Sequence, residues 1–435
     1  MAEAATARYR EVFGVAEFRV LFAANLASIL GDVVAAVALM VLVYQRTHSP
    51  GLASLTMSLV FIPYLFGGAL LSAAVERWPA RRTLVACHVA SALLVAVMAA
   101  PGMPVAALLA LLFAVGLFAP VFQGVRAALL PQVLPPGPPY VLGRSVMRLV
   151  SQSAQIIGYG AGGLLLLVLS ARGALVIDAA SFALSAALVR FGTAARPATA
   201  TAASTATAAA RGVTGDAGLG AGTGADAGAG RPTRPSMVRA SLSGLRRVFA
   251  AAELRRVMLL GWAIPACTVA PEALAAAYVA HIHQPASAVG WYLASMPLGS
   301  VVADVVAGRM LGPRAQGRLV LPAALVASGS LAVFALGPPL PATIVVLFVV
   351  GLGFAYAPGL DQHLVEVAPG PLRDTALAVS SSGLMFVQGV GFAVWGFAAE
   401  LASIRLVIPI AAGFGVMAAL ALTRPWPIRD RTNHD

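Results

Sequence analysis

The sequence predicts an all-α polytopic membrane protein with twelve transmembrane helices in two pseudo-symmetric six-helix bundles. Three observations predict it. Of 435 residues, 59% are hydrophobic and 11% charged, with a mean hydropathy of +0.87, whereas a soluble domain carries about 25% charged residues. Twelve apolar segments are each long enough to cross a ~30 Å hydrocarbon core at ~1.5 Å per residue. The second six segments also repeat landmarks of the first six.

The first six segments lie at about 18–45, 52–75, 83–101, 104–125, 145–170 and 173–190. The other six lie at about 256–281, 287–310, 318–337, 341–360, 375–400 and 403–423. Before Phe18 the chain is polar, and the first apolar run lacks a small-residue cleavage site followed by a soluble domain, so it is expected to stay in the membrane. Between the two sets, runs such as TATAASTATAAARG and GLGAGTGADAGAG have a composition that cannot form a packed core. The expected organisation is an N-terminal bundle over 1–192, a flexible linker over 193–237, a C-terminal bundle over 257–424 and a tail over 425–435. Over 238–256, Leu242, Leu245, Val248, Phe249 and Leu254 stand against Arg239, Arg246, Arg247, Arg255 and Arg256. This pattern predicts a helix lying on an anionic membrane surface.

All 29 basic residues are arginines, and the formal net charge is +12. In a soluble chain such a balance suggests nucleic-acid binding; here its placement reads as topology. Counting arginines in alternating loops gives 26 on one side and only Arg46, Arg172 and Arg405 on the other. Short cytoplasmic loops retain positive charge, so both termini and the linker are expected in the cytoplasm of a cell-membrane protein. Cys87 and Cys267 both fall within apolar segments, as buried thiols do, and no disulfide framework is expected.

The internal repeat is visible in local landmarks. Ala119-Pro120 in the fourth segment is followed by a proline-rich turn and a glycine-rich helix through Gly158-Tyr159-Gly160. In the tenth segment Ala357-Pro358 is followed by Pro369-Gly370-Pro371 and then Gln388-Gly389-Val390-Gly391, about 238 residues later. Ser49-Pro50-Gly51 before the second segment mirrors Gln284-Pro285-Ala286 before the eighth. Two such units can rock about a central site.

Ionisable groups inside the membrane are the candidates for chemistry, because a charge in hydrocarbon must be paired, hydrated or neutralised. Asp32 falls near the middle of the first span. Glu272 falls in the corresponding seventh span, between Pro265 and Pro271, which weaken the local backbone. Both are expected to carry protons or bind cationic cargo, with Ser28 four residues from Asp32 on the same face and Asn25 nearby. Gln155 and Gln388 offer neutral hydrogen bonds to cargo. Asp178 is expected to be structural, and Gly158, Gly160, Gly162 and Gly163 to admit a close neighbouring helix. His281 and His283 lack neighbouring Cys or carboxylate, so no metal is called for. Without a nucleotide or catalytic motif, neither a cofactor nor an enzymatic role is expected.

After the second span comes Ser72-Ala-Ala-Val-Glu76-Arg77-Trp-Pro-Ala-Arg81-Arg82. It resembles the cytoplasmic motif of the major facilitator superfamily, with Glu76 for the usual Asp and Ser72 for the usual Gly. The resemblance implies that Glu76, Arg77, Arg81 and Arg82 latch a cytoplasmic gate by bonding carboxylates and helix C-terminal carbonyls on the neighbouring bundle. Asp304 and Arg309, on the inner half of the eighth span, and Arg126 at the inner end of the fourth join this gate. Arg126 is expected against Asp361 or Glu366, or snorkelling to the interface. Asn25-Leu-Ala-Ser28-Ile-Leu-Gly31-Asp32, the turn after span four and Asp178-Ala-Ala-Ser181-Phe182 together resemble the macrolide-efflux and siderophore-exporter branch. That branch implies a monomeric, proton-coupled secondary exporter of a small amphipathic or lipophilic compound. A facilitator or importer of the same fold, and a membrane scaffold or sensor, stand as alternatives. The chain departs from the exporter pattern in two places: Arg126 follows Gln123-Gly124 rather than preceding it, and Tyr159 stands where span five usually has Pro.

Overall fold

The structure, a computed structural model, describes residues 9–64, 78–196 and 248–423. Every described element is helical. The N-terminal half comprises α1 (Tyr9–Gly14), α2 (Ala16–Thr47), α3 (Pro50–Phe61), α4 (Ala80–Met98), α5 (Val105–Gly116), α6 (Ala119–Val133), α7 (Pro138–Val168) and α8 (Ala171–Gly192). The C-terminal half comprises α9 (Ala252–Thr268), α10 (Ala270–Ala273), α11 (Ala275–His281), α12 (Ala288–Met310), α13 (Pro313–Gly329), α14 (Leu340–Gly353), α15 (Ala357–Val367), α16 (Arg373–Leu401) and α17 (Ile404–Leu422). Among the described residues, nine helical stretches are long and apolar enough to span a membrane, or ten when α9–α10 and α11 are joined across their 44° bend. Helix α3 is a shorter apolar helix over its described part. Helix α7 is 31 residues long but carries polar groups such as Ser145, Ser151 and Gln155 along its first half.

The repeat read from the sequence corresponds to matching backbone events. The fourth span breaks after Gly116 and restarts at Ala119-Pro120; the tenth breaks through a 3₁₀ turn, Phe354–Tyr356, and restarts at Ala357-Pro358. Proline lacks an N–H and presets φ near −65°, so it starts a helix well and interrupts one already running. Pro265 within α9 and Pro271 in the first turn of α10 precede the 44° bend of the seventh span, which falls at Leu274.

One prediction is revised at residues 248–256. Ala251 is extended (φ −76°, ψ 111°), so the polypeptide does not continue as one amphipathic helix into Arg255 and Arg256; these belong to α9. Val248 and Leu254 are buried with Val320, Tyr356 and Leu364 in the C-terminal bundle rather than facing lipid. Residues 197–247 and the tail from 424 lie outside the described residues.

The largest buried cluster joins both halves. Val37, Met40, Val41, Met57 and Tyr159 pack with Val269, Leu274, Tyr278, Tyr292 and Phe334. All lie toward the end that carries the 47–50, 282–287 and 401–404 turns, here termed the distal end. Toward the opposite, terminal end, the buried clusters stay within one half: Leu21, Leu84, Val125 and Val189 in the first, Leu254, Val257 and Leu360 in the second.

Two seams make the distal closure. Along α3 and α16, Ser58 Oγ donates to the Gly389 carbonyl at 2.7 Å, and the Phe61 and Phe392 rings stack at 5.5 Å. The Glu400 carboxylate accepts from the Gly51 backbone N–H at 2.9 Å and from the Ser49 hydroxyl. A carboxylate there also meets the positive N-terminal end of α3. Along α7 and α12 the backbones touch. A Cβ on Gly163 would stand 2.8 Å from Gly290 Cα, so neither position admits a side chain without separating the helices. Replacement Gly290→Val is therefore expected to open the distal end. The readout is maleimide labelling of Ser54→Cys in a Cys87→Ala/Cys267→Ala background, since Ser54 is fully buried against Gly396. Labelling should rise severalfold with Gly290→Val; an unchanged rate counts against the seam.

Candidate functional site

Among the described residues, the largest buried cluster joins the two halves toward the distal end, and the clusters toward the terminal end stay within one half. Asp32, halfway along α2 and between the buried Gly31 and Val34, is exposed, as are Gln123 and Gly124 on α6. Ser382 on α16, two turns from Gly389 on the same face, is exposed as well, whereas Gly389 itself is packed on Phe61 and Ile62. Asp32, Gln123, Gly124 and Ser382 are thus accessible away from the distal seam.

Asp32 does not stand alone. It interacts electrostatically with Arg126 of α6 and with Asp178 of α8, and Arg126 also acts on Tyr64. Gln123 Nε2 donates to the Tyr64 hydroxyl at 3.1 Å, and Arg126 Nε donates to the Phe122 carbonyl at 3.0 Å. The neighbouring Gly31 allows this grouping. A Cβ there would come within 2.5 Å of Asp178 Oδ1, so α2 and α8 approach at the one residue beside Asp32 that has no side chain. Asp178 is itself buried, with Ser181 Oγ donating to its backbone carbonyl at 2.8 Å and to Oδ1 at 3.3 Å. An acid read as structural thus belongs to the environment of Asp32.

Arg126 is displaced from its predicted place. Its electrostatic neighbours are Asp32 and the Tyr64 hydroxyl within the same bundle, whereas Glu366 pairs with His363 at 3.9 Å in the other bundle. The restart of α6 at Ala119 sets the rotation that turns Arg126 inward toward α2.

Glu272 forms a second group. It is half-buried at the bent seventh span and acts electrostatically on Tyr159 of α7 and Tyr292 of α12. Tyr292 donates to the Pro271 carbonyl at 3.1 Å, and Gln155 Nε2 lies 3.5 Å from the Tyr159 hydroxyl. Gln155 therefore joins the Glu272 group. Gln388 is half-buried, one residue before the Gly389 contact with α3.

Asn25 and Ser28 take another direction. Both are buried; Asn25 Nδ2 donates to Ser151 Oγ on α7 at 3.2 Å, and Ser28 Oγ donates back to the Asn25 carbonyl at 3.3 Å. Their contacts hold α2 to α7 and do not include Asp32.

Of the gate residues, Glu76 and Arg77 lie outside the described residues, as does the side chain of Arg309. Arg81 Nη1 donates to the Thr193 carbonyl at 3.1 Å, a helix C-terminal carbonyl as expected but in its own bundle rather than the neighbouring one. Arg82 is exposed and Asp304 half-buried on α12. The same end is stapled by Arg196, which pairs with Glu17 at 2.6 Å and ties the end of the first half to the start of α2. Among the described residues no group of three His, Cys, Asp or Glu side chains is arranged to hold a metal, and His281 Nε2 accepts from Arg405 Nε at 3.2 Å.

A family profile described as Major Facilitator Superfamily matches residues 21–360. The chain belongs to the major facilitator superfamily. Solved structures of similar fold include the nucleoside transporter NupG, at 16% identity and TM-score 0.69, covering 93% of this chain and 98% of that one. A bacterial homologue of the human lysosomal transporter Spinster, inward-facing and unoccupied, gives 12% identity and TM-score 0.71 over 96% and 97%. A D-xylose–proton symporter gives 13% identity and TM-score 0.64 over 94% and 97%. A search of curated protein sequences finds no match. The protein is thus a multi-pass membrane transporter of this superfamily and not an enzyme.

The grouping around Asp32 predicts non-additive mutational effects. Removing only the arginine leaves a carboxylate without its counter-charge, whereas neutralising both leaves neither. Arg126→Gln is expected to lower detergent-state thermal stability more than Asp32→Asn/Arg126→Gln. The coupling should be on the order of 1 kcal/mol, since the exposed carboxylate is partly hydrated. Additive effects in thermal unfolding would separate the two residues.

Proposed function

We propose that the protein is a proton-coupled exporter of a small amphipathic or lipophilic organic compound, working by alternating access as a monomer. The observation that carries this reading is Asp32, a carboxylate exposed at mid-helix with Arg126 and Asp178 beside it, which in this reading faces a central cavity between the bundles. Such a group exchanges a proton with the compartment to which the cavity opens, and its charge is felt by a neighbouring arginine that a cationic cargo would displace. Glu272 supplies a second carboxylate at a hinge in the opposite bundle, against Tyr159 of the first. Two bundles of six spans each, with residues 193–237 as linker, fit the family and the repeated Ala-Pro restarts. The 26 to 3 arginine asymmetry supports cytoplasmic termini in the cell membrane, so that the distal end faces outward and the cavity inward.

A second reading is a symporter or facilitator that moves cargo inward. The similarity of fold to a D-xylose–proton symporter favours weighing it. In reconstituted vesicles, an exporter that exchanges cargo for protons drives cargo against its gradient when a pH gradient is imposed in one orientation, whereas a symporter requires the opposite gradient. Asp32→Asn/Glu272→Gln is expected to abolish gradient-driven movement while leaving cargo counterflow measurable. Gradient-driven transport at wild-type rate in that double variant would remove both carboxylates from the coupling. Counterflow in the wild type without any proton movement would favour a facilitator.

A further inference from the structure

Arginine at the distal end runs against the charge distribution of the rest of the chain, and only Arg46, Arg172 and Arg405 lie there. Arg405 has a structural task, since it bonds His281 and lies on Gly337. The other two, 126 residues apart in sequence, converge on one cavity of about 360 Å³. Arg46 spends one guanidinium N–H on the Met103 carbonyl at 2.7 Å; Arg172 is exposed and has no partner among the described residues. The lining contains no carboxylate. Gln45 stands beside the arginines, the wall beneath them is Leu42, Leu166 and Leu169, and Ala286 of the second bundle closes the far side. A smaller cavity of about 130 Å³ shares Val41, Gln45 and Ala286, so the apolar slot continues between the bundles toward Val279 and Val289.

We propose that this groove is a binding site for an anionic phospholipid, with its phosphodiester held by Arg46 and Arg172 and an acyl chain laid along Leu42, Leu166 and Leu169. The two halves of the groove select this chemistry together. Guanidinium forks match phosphate oxygens in charge and geometry, which a neutral lipid does not use. The leucine wall is desolvated by a hydrocarbon chain, which a free inorganic anion lacks. Ala286 immediately precedes the Ser287–Gly290 stretch that packs on Gly163, so an occupant touching both bundles stabilises the closed distal seam. The proposal does not depend on cargo or coupling ion.

The test uses the full chain in neutral detergent with added phosphatidylglycerol, phosphatidylcholine or inorganic phosphate, read by native mass spectrometry and thermal unfolding. Retained phosphatidylglycerol adducts and a raised Tm are expected, with little effect of the other two additions. Arg172→Gln, which breaks no internal bond, should weaken phosphatidylglycerol binding about fivefold, and Arg46→Gln/Arg172→Gln further. Arg190→Gln, an exposed arginine outside the groove, should leave it unchanged. Equal retention of phosphatidylcholine, an undiminished adduct in Arg172→Gln, or the same Tm rise with phosphate alone would each overturn the proposal.

Discussion

An ionised carboxylate halfway through an apolar slab must meet water, a counter-charge or both, and the first bundle is arranged around that requirement at Asp32. The α6 restart at Ala119-Pro120 turns Arg126 toward it. Gly31 lets α8 come close enough to place a second acid, Asp178, in its field, so the two carboxyl groups do not favour being ionised together. Change the rotation of α6, and the charge loses its counter-charge.

The same need for close approach shapes the contact between the bundles. In a membrane, lipid is as apolar as a leucine side chain, so helices gain most by fitting backbones together and by satisfying polar groups across the interface. Gly163 against Gly290 does the first. Ser58 on the Gly389 carbonyl and Glu400 on the start of α3 do the second. Close backbone contacts and a few hydrogen bonds thus flank the large apolar cluster that joins the two halves at the distal end.

Much of this was legible in the sequence. Segment order, the matching Ala-Pro restarts and the small-residue character of Gly158 to Gly163 all depend on local pattern, and each corresponds to a described feature. Helical periodicity groups Asn25, Ser28 and Asp32, but it does not say which neighbour their faces meet; Asn25 turns toward Ser151 on α7, Ser28 bonds back to the Asn25 carbonyl and only Asp32 is exposed. The pairing of Arg126 with Asp32, the place of Asp178 beside them and the bond from Glu400 to the start of α3 all rest on how helices far apart in sequence are rotated and packed. Residues 248–256 show the converse limit. Their alternation of apolar and basic residues reads as one surface helix, yet the extended Ala251 divides it and the apolar side chains Val248 and Leu254 enter the bundle core.

The two candidate carboxylates sit in unlike surroundings, and this bears on how each would act. Asp32 is exposed at mid-helix beside Arg126 and Asp178, and under the proposed reading it faces the cavity rather than the distal seam. Glu272 lies where a proline-broken helix meets Tyr159 of the opposite bundle, next to the buried cluster that joins the two halves. Charge at that place is tolerated only while some water remains, and drying the seam by full closure penalises the ionised form. Under the proposed reading, protonation at Asp32 changes what the cavity holds and protonation at Glu272 changes how readily the distal end closes. A cycle that needs both therefore links cavity occupancy to the position of the gate through two separate sites, without requiring a proton to pass from one carboxylate to the other.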